Sequence, residues 1–419
     1  MKLLWLCNMV PGEIREKMGK GSGSGMWIEH VLKDLREMED VVLHILGLSD
    51  SFAEGVLDDR CSYGTFAAGL PHKYVPELEG YFANELKKFC PDVIHVWGTE
   101  YAHTLAMVKA AEKVGMLDRI AISIQGLCSV CANHYEEGLS PALVNAFTPR
   151  DLIRWDNIAL QRKKFVKRGI HEVAALKKVR HVIGRTDWDK ACVEQINPAI
   201  HYHKCNETMR PAFYSGRWEY DRCQKHRIFA SDCSYPVKGM HYLLKALAQV
   251  RKQYPDATLA VPGRAPCSGG LRNKLLINSY ELYLYYLIHR NGLADSVFFL
   301  GTLSAEGMKE NYLRANAFVL PSTVENSPNS LAEAMLLGVP CVASAVGGVT
   351  TMMCHGEEGC LYQSTAPYML AYYIRQVFAM EDKAAPMGQQ ARNHAAKTHD
   401  PEKNLRDLLN IYREIAGKE

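Results

Sequence analysis

Short apolar runs alternate with longer amphipathic segments along nearly the whole chain. Such runs fit strands buried on both faces, and the segments between them repeat apolar positions at helical spacing, as helices covering a sheet do. The pattern predicts an α/β fold with parallel sheets. A first series of strands is expected at 3–10 (LLWLCNMV), 41–48 (VVLHILGL), 93–97 (VIHVW), 120–126 (IAISIQG), 181–185 (HVIGR) and 200–204 (IHYHK). A second is expected at 226–232 (HRIFASD), 257–263 (ATLAVPG), 296–301 (SVFFLG), 317–322 (AFVLPS) and 340–346 (PCVASAV). Two doubly wound units in tandem follow. Their junction is expected near 206–222 (NETMRPAFYSGRWEYDR), where periodicity lapses and Pro, Gly and aromatic residues cluster.

After His399 the stretch DPEKNLRDLLNIYREI offers Asp400 as a helix cap and Pro401 as first helical residue, with an apolar stripe of Leu405, Leu408, Leu409, Ile411, Tyr412 and Ile415. The division expected is therefore 1–207, 208–396, and a final helix at 397–419 packing back on the first domain.

Composition narrows this picture. The 419 residues are 47% hydrophobic and 23% charged with a net charge of +3, which suits an ordinary globular protein and argues against nucleic acid as a partner. The apolar runs fall far short of the ~20 residues needed to span a bilayer. The opening MKLLWLCNMV resembles a short signal core, but Glu13, Arg15, Glu16 and Lys17 follow it without a small-residue cleavage site, so a first buried strand and a cytoplasmic location are expected. The 13 cysteines are odd in number and scattered, as free thiols are. Cys128 and Cys131 have C-x2-C spacing near His134 but lack a second pair, so no metal site is expected.

Candidate chemistry concentrates in 319–348, VLPSTVENSPNSLAEAMLLGVPCVASAVGG. Here a strand ends in a loop, Ser327 and Pro328 read as helix cap and first helical residue, and the helix stops at Gly338. The unpaired amides of Asn329 and Ser330 and the positive end of the helix would make an anion site. Glu325 precedes that site and Glu333 follows it. Carboxylates accept paired hydrogen bonds from sugar diols, so the arrangement suits a sugar, a diphosphate and a ribose laid in a row.

The segment resembles the Glu-x7-Glu motif of retaining glycosyltransferases of the GT-B fold, family four (glycosyl transferases group 1). The likeness extends to PVKGMHYLLKAL at 236–247, SVFFLG at 296–301, GVPCVASAVGG at 338–348 and HGEEGCLY at 355–362. It implies two Rossmann-like doubly wound domains facing across a cleft, the first binding the acceptor and the second the nucleotide-sugar donor. It also implies that Glu325 contacts the donor sugar, Glu333 binds the ribose, and Lys238 of the Lys-Gly pair neutralises the diphosphate leaving group. Asn329, Ser330 and Ser327 would line the donor site.

One departure stands out. The family carries Gly-Arg five residues before the lysine, where this chain has Asp232 and Cys233. Arg264, at the end of the next strand, is the candidate replacement cation. No Asp-x-Asp suited to a metal-bound donor appears, so metal independence is expected, with no cofactor beyond the nucleotide-sugar itself, a UDP-sugar being favoured over a GDP-sugar.

In the first half, Gly23 and Gly25 in GKGSGSGMW offer a loop that a sugar or phosphate could approach closely. Glu100, His103, Gln125, Arg185 and Asp187 follow strand ends and are cleft candidates by position. The stretch 161–181 (QRKKFVKRGIHEVAALKKVRH) carries eight Lys or Arg residues beside Phe165, Ile170, Val173, Ala174 and Leu176. A basic amphipathic helix of this kind can lie on an anionic membrane surface, and it also suits a solvated helix covering the sheet. The implied activity is transfer of a sugar to a saccharide or lipid-linked saccharide in polysaccharide or glycoconjugate assembly. A nucleotide-sugar epimerase or phosphorylase of the same architecture, and a non-catalytic sugar-nucleotide binding subunit, remain as alternatives.

Overall fold

The computed structural model describes residues 1–20, 28–231, 234–266 and 276–417. The chain forms two compact units. The first comprises Met1–Ala132, Lys164–Arg210 and His399–Glu419, and the second Asn133–Lys163 with Pro211–Thr398.

The first unit is built on an eight-stranded sheet. Its strands are β1 (Lys2–Cys7), β2 (Val42–Ser49), β3 (Ala53–Asp58), β4 (Cys61–Ala67), β5 (Val93–Trp97), β6 (Ile120–Ser123), β7 (His181–Gly184) and β8 (His201–Lys204), in the order β3-β4-β2-β1-β5-β6-β7-β8. All neighbours are parallel except β3 and β4. The side-chain period of two sorts the core. Leu4, Leu6, Ile94, Val96, Ile120 and Ile122 face the helices Glu77–Phe89 and His103–Lys113. Leu3, Trp5, Cys7, Ile45, Val93 and Trp97 face the helix Ile28–Glu37 and the final helix Pro401–Ala416. Asp400 caps that last helix, accepting from the Lys403 amide at 2.8 Å, and Tyr412 buries its hydroxyl against Trp5 Nε1 (3.2 Å) and His95 Nδ1 (2.6 Å).

The second unit is a six-stranded, all-parallel sheet of β9 (Arg227–Phe229), β10 (Thr258–Val261), β11 (Val297–Phe299), β12 (Ala317–Leu320), β13 (Cys341–Ser344) and β14 (Cys360–Tyr362). Its order is β11-β10-β9-β12-β13-β14. The chain moves outward from β9 to β11, then returns to β12 on the other side of β9, so the order reverses between β9 and β12. Ligands in such sheets bind beyond the strand ends at the reversal.

Three expectations need correction. Residues 133–163, assigned above to the first domain, group with the second unit. There the Thr148 hydroxyl donates to Ile277 O (2.7 Å), the Ser279 amide to buried Asp151 (2.9 Å), and His241 Nε2 to Glu137 O (3.2 Å). The edge hairpin β3–β4 was not foreseen, because β3 alternates half-exposed residues with no apolar run. The basic stretch 161–181 also divides: a helix, Ile158–Leu176, then a turn, then the first residue of β7. Its buried face is Gly169, Glu172, Ala175 and Leu176, while Ile170 is 62% exposed. The cause is close approach, since a Cβ on Gly169 would fall 2.6 Å from Ser129 Cα.

Candidate active site

Three strand ends of the second unit converge at the reversal. After β9 a turn, Pro236–Lys238, delivers Lys238, and Gly239 starts the helix Met240–Val250 with φ +71°. A Cβ on Gly239 would sit 1.9 Å from Pro321 O, so no other residue lets the loops after β9 and β12 touch. The Thr323 amide then donates to Val237 O (2.8 Å), and from β13 the Ser344 hydroxyl donates to Ser322 O (2.6 Å).

Glu325 is held at both ends by this junction. Its carboxylate Oε1 accepts from Lys238 Nζ (2.8 Å) and from the Ser322 hydroxyl (2.7 Å). Its carbonyl accepts from the Gly348 amide (3.0 Å), and Gly347, at φ +49°, would drive a Cβ to 1.9 Å from that same oxygen. The glycines of AVGG therefore fix the loop that carries Glu325. The Lys238 and Glu325 side chains are 22% and 11% exposed, so the pair is largely withdrawn from water and its charges are weakly screened.

The helix beyond is Asn329–Leu337, and Pro328, rather than Ser327, occupies its cap position with φ −68° and ψ 116°. Proline can hold the extended cap conformation as well as the first helical one, which moves the start by one residue. Among the described residues no side chain caps this end. The Leu331 amide bonds to Pro328 O (3.0 Å), and the amides of Asn329 and Ser330 have no acceptor within the helix. Glu333 is only 4% exposed, and Tyr312, packed among Phe213, Phe229 and Phe318, donates its hydroxyl to Ser330 O (3.0 Å) and lies 3.4 Å from Glu333 Oε2. Arg264 is exposed beyond β10, after Gly263. Among the described residues it gives no hydrogen bond to the Lys238–Glu325 pair. Asp232 and Cys233, at the family's Gly-Arg position, lie outside the described residues, as do Gly23 and Gly25.

The first unit has its own reversal, between β1 and β5, and a polar cluster stands there. Asn8 Nδ2 donates to Glu100 Oε2 (3.1 Å), and His103 Nε2 donates to Asn8 Oδ1 (2.9 Å). That bond fixes the tautomer, leaving His103 Nδ1 buried and, among the described residues, without a partner. Burial lowers the His103 pKa to about 3, so the ring is neutral. Burial pushes the Glu100 carboxyl up to about 7, Glu172 adds to the rise, and Arg168 opposes it. Gly98, at φ +105°, makes room, since a Cβ would lie 2.2 Å from Glu100 Oε2.

Sequence reasoning missed Asn8 and also Glu172, which is wholly buried. Glu172 accepts from the amides of Cys128 (2.9 Å) and Ser129 (3.0 Å) and from the hydroxyls of Ser129 (2.6 Å) and Thr99 (2.7 Å). It was hidden in a stretch whose composition reads as basic and solvated. Gln125 and Arg185 are engaged internally. Both are tied to Glu207, Arg185 Nη1 at 2.5 Å and Gln125 Nε2 at 2.6 Å, and Arg185 is buried. Asp187 is exposed in the first turn of the helix Asp187–Ile196. In the Asp187-Trp188-Asp189 run the second acid is consumed internally, accepting from the Arg185 amide (2.9 Å) and the Tyr202 hydroxyl (2.5 Å).

Comparison with known proteins accords with this geometry. Residues 225–394 match the family described as glycosyl transferases group 1. A D-inositol 3-phosphate glycosyltransferase of Corynebacterium urealyticum is 27% identical over 180 residues, 43% of this chain and 41% of that protein. The matched stretch thus spans less than half the length of the first curated relatives. Among solved structures, a sucrose-phosphate synthase from Thermosynechococcus elongatus superposes with TM-score 0.68 at 15% identity, over 99% of both chains. Anabaena HepE, solved with UDP and glucose, gives 0.66 at 17% identity over 99% of this chain and 100% of its own. Residues 225–394, which hold the Lys238–Glu325 pair and the helix opening at Asn329, belong to the glycosyl transferases group 1 family, within a chain of GT-B fold.

Proposed function

We propose that this protein transfers a sugar from a nucleotide-sugar, a UDP-sugar in preference to a GDP-sugar, to a hydroxyl of a saccharide or lipid-linked saccharide, with retention at the anomeric carbon. The observation that carries this reading is the Lys238–Glu325 pair at the β9/β12 reversal beside a helix end with no side-chain cap. Lys238 and the Asn329 and Ser330 amides receive the diphosphate, Glu325 orients the sugar hydroxyls, and Glu333 accepts from the ribose. The bond from anomeric carbon to diphosphate oxygen breaks with its electron pair on the diphosphate. The acceptor oxygen forms the new bond on the same face, and its proton passes to the departing phosphate oxygen. The dominant catalytic contribution is electrostatic stabilisation of that leaving group by groups already in place, without a donor-bound metal ion.

Acceptor hydroxyls are assigned to the Asn8–Glu100–His103 cluster of the first unit, where a carboxyl poised near neutrality and an imidazole nitrogen unpartnered among the described residues stand at a strand reversal. Contact with an anionic lipid surface on the cytoplasmic side is assigned to residues 147–155 in place of 161–181. Leu152, Ile153 and Trp155 are 57%, 84% and 64% exposed, the Trp155 ring centroid lies 5.6 Å from that of Phe147, and exposed Arg154 adds charge that anionic lipids would meet. Among the described residues no helix is long and apolar enough to cross a membrane.

The test is release of nucleoside diphosphate from a panel of UDP-, GDP- and ADP-sugars with and without acceptor. Acceptor-dependent release that drops about 10²–10³-fold in Lys238→Ala is expected. Release independent of acceptor, interconversion of the donor, or binding without turnover would instead favour the phosphorylase, epimerase or binding-subunit readings.

A further inference from the structure

Away from both strand reversals, on the outer edge of the first unit, three histidines and a glutamate come together. His201 and His203 lie two residues apart on the edge strand β8, so their side chains share a face. Their rings stack with centroids 4.4 Å apart. His181, opposite His201 on β7, places its Nδ1 2.9 Å from His203 Nε2. Glu414, in the last turn of the final helix, lies with Oε1 3.4 Å from His201 Nε2 and Oε2 3.8 Å from His203 Nδ1.

We infer that His201, His203 and Glu414 form a binding site for a divalent transition-metal ion of the zinc class. The distances carry the argument. A good N–H···O bond is about 2.7–3.2 Å, and the carboxylate is closer than that to neither ring. Two ligands bound to one tetrahedral zinc at about 2.0–2.1 Å stand roughly 3.4 Å apart; His201 Nε2 and Glu414 Oε1 have that separation, and His203 Nδ1 lies 3.8 Å from the other carboxylate oxygen. One nitrogen from each histidine and one carboxylate oxygen all lie within 4.8 Å of one another. Rotation of the half-exposed Glu414 carboxylate is the adjustment that closes the set.

The surroundings fit such a site. When His203 Nδ1 binds the ion, its ring proton resides on Nε2 and is donated to His181 Nδ1, the outer hydrogen bond that fixes the tautomer of a metal-bound histidine. His201 and Glu414 are about half exposed at 50% and 53%, so a fourth position is open to water. Two imidazoles and one carboxylate select a borderline ion such as Zn²⁺ over Mg²⁺ or Ca²⁺, which prefer all-oxygen shells. The bound ion would clip the last turn of the final helix to the sheet edge, within one turn of the buried anchors Ile411 and Tyr412.

The experiment uses the full chain without a histidine tag, stripped by chelation, with Zn²⁺, Mg²⁺ and Ca²⁺ titrated separately and Co²⁺ used as a spectroscopic probe. Expected are one equivalent of Zn²⁺ bound, a melting temperature raised by about 2 °C or more in excess zinc, and a tetrahedral Co²⁺ spectrum without thiolate charge-transfer bands. Affinity should fall by about 10–100-fold or more in His201→Ala and in Glu414→Gln, whose exposed positions leave folding intact. Zinc affinity unchanged in both variants, thiolate bands in the Co²⁺ spectrum, or no zinc binding by the wild type would each overturn the assignment.

Discussion

Two helix starts in this protein meet opposite fates. At Cys128–His134 the chain supplies its own anion: the buried Glu172 carboxylate takes the amides of Cys128 and Ser129. At Asn329–Leu337 no side chain among the described residues caps the end, and Lys238 pairs with Glu325 at the strand reversal before it. The same backbone dipole meets a buried carboxylate in one unit and no side-chain cap in the other. A helix start signals a binding site only when the fold has not already filled it.

The contrast can be broken first from the presented side. Gly347→Ala puts a methyl into the Glu325 carbonyl at a positive φ, so the Glu325 loop must move. A shift of about 1 Å at this loop is expected to lower turnover about 10²-fold, while the melting temperature falls by a few degrees. Unchanged turnover would mean that the Glu325 loop does not set the reaction geometry.

From the filled side, Glu172→Gln replaces one carboxylate oxygen with an N–H₂ group that faces amide or hydroxyl donors. The expected loss is about 2–3 kcal/mol, read as a lower denaturation midpoint at unchanged slope. Donor affinity should be unaffected, because the second helix start is independent. A large change in donor affinity would show that the two are coupled.

A third test concerns Glu100, whose effect is spread over a pH range. Its folded pKa of about 7 lies above the unfolded value, so between roughly pH 4.5 and 7 the folded state holds the extra proton. Stability from this group is therefore complete below that window and is lost as pH rises through 7. The buried histidines His95 and His103, both lowered to about 3, act in the opposite sense at acid pH. The quantity to measure is thus the difference in melting temperature between Glu100→Gln and wild type from pH 4.5 to 7.5. The variant should gain relative stability as pH rises, and a flat difference would contradict the assignment.

How much of this was legible in the sequence depended on whether a residue's role was local. The strand–loop–helix geometry after β12 was legible because strand, loop, proline and helix follow one another within 319–348, and its glycines carry positional meaning. The cap was misplaced by one residue because Pro328 suits either position. The edge hairpin and the three-residue β14 were missed because neither gives an apolar run long enough to stand out. Glu172, Asn8 and the Glu207 anchor of Gln125 and Arg185 act on partners 43, 92 and 82 or 22 residues away, so no spacing rule points to them. Segment 133–163 went to the wrong unit for the same reason, its bonds running to residues more than 100 positions distant.

The central claim is that Lys238 and the free helix start at Asn329 recognise a diphosphate, and titration calorimetry with UDP against uridine tests it most directly. UDP is expected to bind wild type far more tightly than uridine does, and Lys238→Ala to remove about 10–100-fold of that difference, the worth of a charge-assisted hydrogen bond. Equal affinities for UDP and uridine, or a UDP preference that survives Lys238→Ala intact, would contradict it.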